Sequence, residues 1–250
     1  MHTEISNKLK STEKEKGVTV LHAVESGSRA WGFASPDSDY DIRFIYKHPQ
    51  EWYLSLFDKG DVIEFMTVED FDGSGWDLQK TLKLLAKSNA PLIEWLHSPV
   101  VYYQQEEFVK QMRELASECF SPIAVTHHYL SMSKNFIEVC TSEQVKLKSY
   151  FYALRCALAG KWIIEERSFP PVAFSELLVI APLNVRDKAV ELMQIKETRD
   201  EKYLHPKENL ITNYIQETIQ FNQEHSGALP VGKKINGKLE DFFRSEISRT

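Results

Sequence analysis

Apolar and polar positions in the first hundred residues alternate in short runs separated by turn residues. VTVLHAVE at 18–25 is a valine-rich apolar run that stops at Gly27-Ser28, the pattern of a buried strand. DYDIRFIYK at 39–47 alternates with period two, and DVIEFMTV at 61–68 reads as a third strand. At 76–87 the period lengthens: Leu78, Leu82 and Leu85 recur at helical spacing, with Ser74 placed as a cap. A short helix is expected at 91–96, capped by Asn89 with Trp95 and Leu96 packing inward, and 1–16 reads as a polar helical lead-in. Beyond about residue 108 helical periodicity takes over, at 130–139, 145–166, 185–197 and 208–224, punctuated by Pro170-Pro171, Pro182 and Pro206. The pattern therefore predicts an α+β fold: residues 1–105 with a small mixed sheet, then an all-helical domain at 106–250.

Composition narrows the class without naming a function. The 250 residues are 42% hydrophobic and 26% charged, ordinary for a globular chain of one large or two modest domains. No run of about 18 apolar residues offers a membrane span, and the polar N-terminus does not read as a signal peptide. Cys119, Cys140 and Cys156 are odd in number and widely spaced, so neither a disulfide-linked partner nor a CxxC metal site is expected. The expected compartment is the cytoplasm. A net charge of −6 argues against a protein that coats nucleic acid, while leaving room for a local basic cleft. GxxxxGK[ST] and GxSxG are both absent, which disfavours a P-loop NTPase and an α/β-hydrolase. His127-His128 lacks the spacing of a zinc site. Lys80, Lys83 and Lys87 read as a solvated helix face, and Lys233, Lys234 and Lys238 as a surface loop.

The chemistry concentrates between residues 27 and 43. Asp39 and Asp41 lie two apart on an expected strand, so their carboxylates emerge on one face. Such a pair repels itself unless a cation intervenes. Mg²⁺ suits it, because that ion binds through one or two carboxylates together with substrate phosphates. Arg43 shares the face, as counter-charge or phosphate contact. Gly27 lets the backbone approach an anion, and Ser28 and Arg29 add donors for a triphosphate. On the helix at 145–162, Leu147, Phe151, Leu154 and Leu158 form the apolar stripe. Lys148, Tyr152 and Arg155 follow at i, i+4 and i+7 on an adjoining stripe, either a phosphate-and-base grip or a solvated flank.

A glycine followed by serine, a spacer and Asp-x-Asp between apolar residues resembles the signature of the DNA polymerase β-like nucleotidyltransferase superfamily. GSRAWGFASPDSDYDIRFIY, DVIE (61–64), GWDLQK (75–80), SNAPLIEWLHSP (88–99) and KSYFYALR (148–155) resemble its branch associated with RNA repair pathways, from about residue 18 to beyond 200. The resemblance implies a polymerase β-like core at 1–105, with the helical domain completing the nucleotide and acceptor cleft. It also implies a two-metal site of Mg²⁺, with Mn²⁺ as a substitute, that needs a third carboxylate. Glu64, Asp70, Asp72 and Asp77 are the candidates, Asp72 first and Asp70 in reserve. The string Asp72-Gly73-Ser74-Gly75 departs from the family pattern like an insert.

The expected activity is transfer of a nucleoside monophosphate from an NTP to an acceptor hydroxyl, preferably an RNA 3′ end. Two alternatives stand beside it. One is a catalytically silent nucleotide-binding module, which would be expected to lose an acid or the Gly-Ser turn. The other is a toxin–antitoxin component that modifies tRNA or protein by the same chemistry.

Overall fold

The structure is a computed structural model that describes residues 1–67 and 71–249. The elements run α1 (His2–Lys16), β1 (Thr19–Glu25), α2 (Gly27–Trp31), β2 (Tyr40–Lys47), α3 (Gln50–Tyr53), β3 (Val62–Met66) and β4 (Phe71–Asp77). They continue α4 (Leu78–Leu85), α5 (Ala90–Leu96), β5 (Val101–Gln104), α6 (Glu106–Cys119), α7 (Pro122–Val139), β6 (Gln144–Lys146) and α8 (Leu147–Glu166). The last are α9 (Phe174–Leu177), α10 (Leu183–Glu197), β7 (Leu204–Pro206), α11 (Asn209–His225) and α12 (Asn236–Ser248). This is an α+β fold with a helical C-terminal part.

Two compact units divide the chain. The first takes Met1–Gly27, Asp39–Phe120 and Gly232–Thr250; the second takes Ser28–Ser38 and Ser121–Val231. The boundary expected at residue 105 falls inside the first of these units. α6 stays with the sheet, burying Phe108, Val109 and Met112, and α12 returns to pack on α4. Lys238, expected in a surface loop, lies on α12 and pairs with Glu118 at 2.6 Å.

The first unit is built on a mixed five-stranded sheet in the order β3-β4-β2-β1-β5, with β2 and β4 parallel and the other pairs antiparallel. Alternation along β2 sends Ile42, Phe44 and Tyr46 into a core with Ile5 and Leu9 of α1. Asp41, Arg43 and Ile45 fall on the opposite face. β4 occupies residues where a loop and the start of a helix were expected. Ser74 lies within this strand and caps nothing; the N-cap of α4 is Asp77, which accepts from Gln79 N–H at 2.7 Å. The glycines of β4 are a packing requirement. A side chain on Gly73 or Gly75 would run into the rings of Phe65 and Phe44, which lie over them on the neighbouring strands. Asn89 caps α5 as expected, accepting from Leu92 N–H at 3.0 Å.

The second unit is helical apart from the two-strand ribbon of β6 and β7, so its expected all-helical character is amended there. α8 is its spine, packed against α7 and α11, with Leu147, Phe151, Leu154 and Leu158 buried as their stripe requires. Phe33 joins this core, its ring 5.1 Å from Phe151 and 5.5 Å from Phe174. Among the described residues no helix is long and apolar enough to cross a membrane.

Burial also sets a pH response in the first unit. His22 on β1 is 1% exposed and donates through Nε2 to the Trp95 carbonyl at 3.0 Å. Burial, joined by the charge of Arg113, lowers its pKa from 6.5 to about 4 despite that hydrogen bond. As pH falls, the unfolded chain binds a proton below 6.5 that the folded chain refuses until about 4, so stability is lost across that window. The loss between pH 7 and pH 5 is about 2 kcal/mol at roughly 1.4 kcal/mol per unit. His22→Leu is expected to flatten the decline of Tm over this range in scanning calorimetry; an unchanged slope would refute the assignment.

Candidate active site

β1 ends at Glu25, and the chain turns away at Gly27 with φ +61°, in the left-handed region that favours glycine. The turn is fastened to β2, because Ser26 N–H donates to the Asp41 carbonyl at 2.8 Å. A Cβ on Gly27 would strike the Asp41 carboxylate. Glycine is thus required twice here, for its backbone angle and for the space it leaves.

Asp41 stands directly opposite Asp72 in the parallel pairing of β2 and β4, so both carboxylates rise on one face. Arg43, two residues further on that face, joins them. Its Nη2 lies 2.9 Å from Asp41 Oδ1 and 3.0 Å from Asp72 Oδ2, and its Nη1 donates to the Asp72 carbonyl at 2.8 Å. Of the two roles open to Arg43, the geometry is that of a counter-charge, held between Asp41 and Asp72. Asp39 is exposed, two residues upstream of Asp41 and just before β2 begins.

Would these residues suit a divalent metal? Asp41 and Asp72 each present an oxygen to one cationic nitrogen, so both acids face a common positive charge, and both donors are hard carboxylate oxygens. Their side chains are 29% and 37% exposed, so a solvated ion can reach them. Among the described residues no group of three His, Cys, Asp or Glu side chains converges on one point. A metal here would draw on the paired acids and on substrate phosphate, the habit of Mg²⁺. The residues fit on those terms.

The other third-carboxylate candidates are placed differently. Glu64 is exposed on β3, paired with Ser74. Asp77 is 1% exposed, caps α4 and accepts from Tyr53 O–H at 2.7 Å, and its burial raises its pKa. Asp70 lies outside the described residues.

In the second unit Ser28 is buried on α2, and Arg29 spans the following loop, donating to the Ser38 carbonyl at 2.5 Å. Lys148 is 3.0 Å from Glu201 Oε2 and lies over the Tyr152 ring at 5.8 Å. Tyr152 is half-buried, edge-on to Trp31 and Phe136. Arg155 is 2% exposed, with its guanidinium 4.2 Å over the Trp31 ring. It is therefore an interior cation, which corrects the expectation of a residue on an accessible flank; Trp31 lies against it, whereas Lys148 and Tyr152 on the same stripe are partly exposed. Glu201 organises this region in a way that the sequence reading missed. It accepts from Ser38 Oγ at 3.0 Å, its N–H donates to Asp37, and buried Lys196 bonds Ser35 Oγ at 2.5 Å close by. Burial pulls the Glu201 pKa up, yet hydrogen bonds from Lys148 and Ser38 and the charges of Lys148 and Lys196 bring it below the ordinary value.

Taken as a whole, the chain that carries this sheet and these acids falls in a DNA polymerase beta family. Over residues 1–245 it matches the RNA repair pathway DNA polymerase beta family, and it belongs to that family. It is 40% identical over 237 residues to the uncharacterized protein YcgL of Bacillus subtilis (strain 168), covering 94% of this chain and 91% of that protein. Among solved structures it is similar to spectinomycin adenyltransferase AAD(9) from Enterococcus faecialis with ATP and spectinomycin, with TM-score 0.48, 14% identity, and 87% and 99% of the two chains covered. A nucleotidyltransferase-like protein from Exiguobacterium sibiricum 255-15 gives TM-score 0.33 at 10% identity, over 90% and 75% of the chains.

Proposed function

We propose that this protein transfers a nucleoside monophosphate from an NTP to an acceptor hydroxyl in a Mg²⁺-dependent reaction, with an RNA 3′ end as the preferred acceptor. The observation that supports it best is the meeting of Asp41 and Asp72 on one cation, against a turn whose glycine leaves room for the Asp41 carboxylate. The RNA preference rests on the family, whose description places it in an RNA repair pathway.

In this reading Asp39, Asp41 and Asp72 would hold the metal together with the substrate phosphates, and Asp72 would accept the acceptor's proton. When bound, the metal neutralises triphosphate charge and polarises the attacking oxygen. The acceptor oxygen forms a bond to the α-phosphorus as the bond to the β-phosphate oxygen breaks and pyrophosphate leaves. The chain itself supplies position and fixed charge. Gly27, Ser28 and Lys148 are assigned to the triphosphate and Tyr152 to the base, with Arg29 holding the Ser38 loop and Arg43 the resting acids. Arg155 is left out because it is buried.

The test is incubation with each α-labelled NTP and Mg²⁺, offering bulk RNA in one arm and bulk protein in the other. Label is expected on RNA and is expected to vanish with EDTA. Label on protein alone would overturn the acceptor, and label insensitive to EDTA would overturn the metal.

A further inference from the structure

Glu25, the last residue of the largely buried strand β1, is a carboxylate only 1% exposed. Burying such a group is expensive unless its oxygens are well used, and here both are. Oε1 accepts the Asp41 N–H at 2.8 Å, and Oε2 accepts the hydroxyl of Tyr102 on β5. Its own carbonyl accepts from Ser98 Oγ at 2.7 Å, which ties the end of β1 to the chain ahead of β5. The β1–β2 register reaches Glu25 opposite Ile42 and stops there as the chain turns off at Ser26 and Gly27. Asp41 is thus the residue just past the β1–β2 ladder; it is paired with Asp72 of β4 on its other edge, but no regular β1 ladder pair holds it on this one. Its peptide is instead gripped on both sides, the N–H by the Glu25 carboxylate and the carbonyl by Ser26 N–H.

We infer that Glu25 is a positioning residue: braced by Tyr102, it fixes the main chain of Asp41 and so sets the direction in which the Asp41 carboxylate meets a divalent cation. This rests on the reading of Asp41 as a metal-holding acid. Groups that orient a ligand from behind typically control metal affinity by about 10–100-fold. What Glu25 supplies is a hydrogen-bond acceptor at a fixed place, which a glutamine can also supply and an alanine cannot.

The experiment measures Mn²⁺ dissociation constants by electron paramagnetic resonance on the full chain, with folding checked by circular dichroism. Glu25→Ala is expected to weaken Mn²⁺ binding by about 10-fold or more, and Glu25→Gln to restore it to within about 3-fold of wild type. Tyr102→Phe, which removes only the brace, is expected to weaken it by about 3-fold or more, and it carries the test if Glu25→Ala does not fold. Unchanged affinity in the alanine and phenylalanine variants, or a glutamine variant as weak as alanine, would overturn the positioning role. Asp41→Asn tests the underlying reading separately. If wild type and Asp41→Asn bind Mn²⁺ alike, the metal assignment falls, and the Glu25 proposal with it.

Discussion

Gly27→Ala is expected to lower kcat/KM for nucleotide transfer by at least about 100-fold, the scale of a misplacement of about 1 Å at a reacting centre. Two costs combine at this position. The φ of +61° disfavours any side chain, by roughly 1–2 kcal/mol. The added Cβ would also run into the Asp41 carboxylate, so either the turn or the acid must move. Gly17 separates the two. It has nearly the same angle, φ +62°, at the end of α1, and a Cβ there meets nothing within 4 Å. Gly17→Ala should therefore bear the backbone penalty alone, a fall in Tm of a few degrees, with transfer intact. Equal activities in the two variants would show that space beside Asp41 is irrelevant to function.

Asp41→Asn and Asp39→Asn are each expected to reduce transfer by at least about 1,000-fold, or roughly 4 kcal/mol of transition-state stabilisation. Asparagine keeps the shape and one oxygen but loses the charge with which, in the proposed reaction, the acid would hold a metal. Stability should change little. Asp39 is exposed, and the Asp41–Arg43 pair is partly solvated, worth about 0–1 kcal/mol. Single-turnover transfer of labelled nucleotide, with Tm in parallel, checks both. Full activity in either variant would reject that residue's role.

Much of this architecture was legible as period. The valine run before Gly27 and the alternation of DYDIRFIYK announce β1 and β2, and the same alternation puts Asp41 and Arg43 on one face. β4 was not legible. Gly73, Ser74 and Gly75 are turn formers by local preference, and the strand exists because Phe44 and Phe65, distant in sequence, lie over its glycines. Ser74 was accordingly mistaken for a helix cap, a role that falls to Asp77.

The same limit applies to the candidate site. Asp39, Asp41 and Asp72 stand out by residue type, whereas the fit of Asp72 to Asp41 depends on strand register. Arg155 looked accessible because helical spacing cannot foresee that Trp31 folds over it. Glu25 closes an apolar run, and only its pairing with Tyr102, far along the chain, shows why a charge is there. A carboxylate closing a valine-rich run just before the Gly-Ser turn was nonetheless a local signal that could have found it.

Soaking crystals with Mn²⁺ and a non-hydrolysable NTP tests the central claim most directly. The account predicts an anomalous peak about 2.1 Å from an Asp41 carboxylate oxygen, with the Arg43 guanidinium displaced from that oxygen and the triphosphate on the same ion. A nucleotide bound elsewhere, with the Arg43 bridge between Asp41 and Asp72 unbroken, would contradict it.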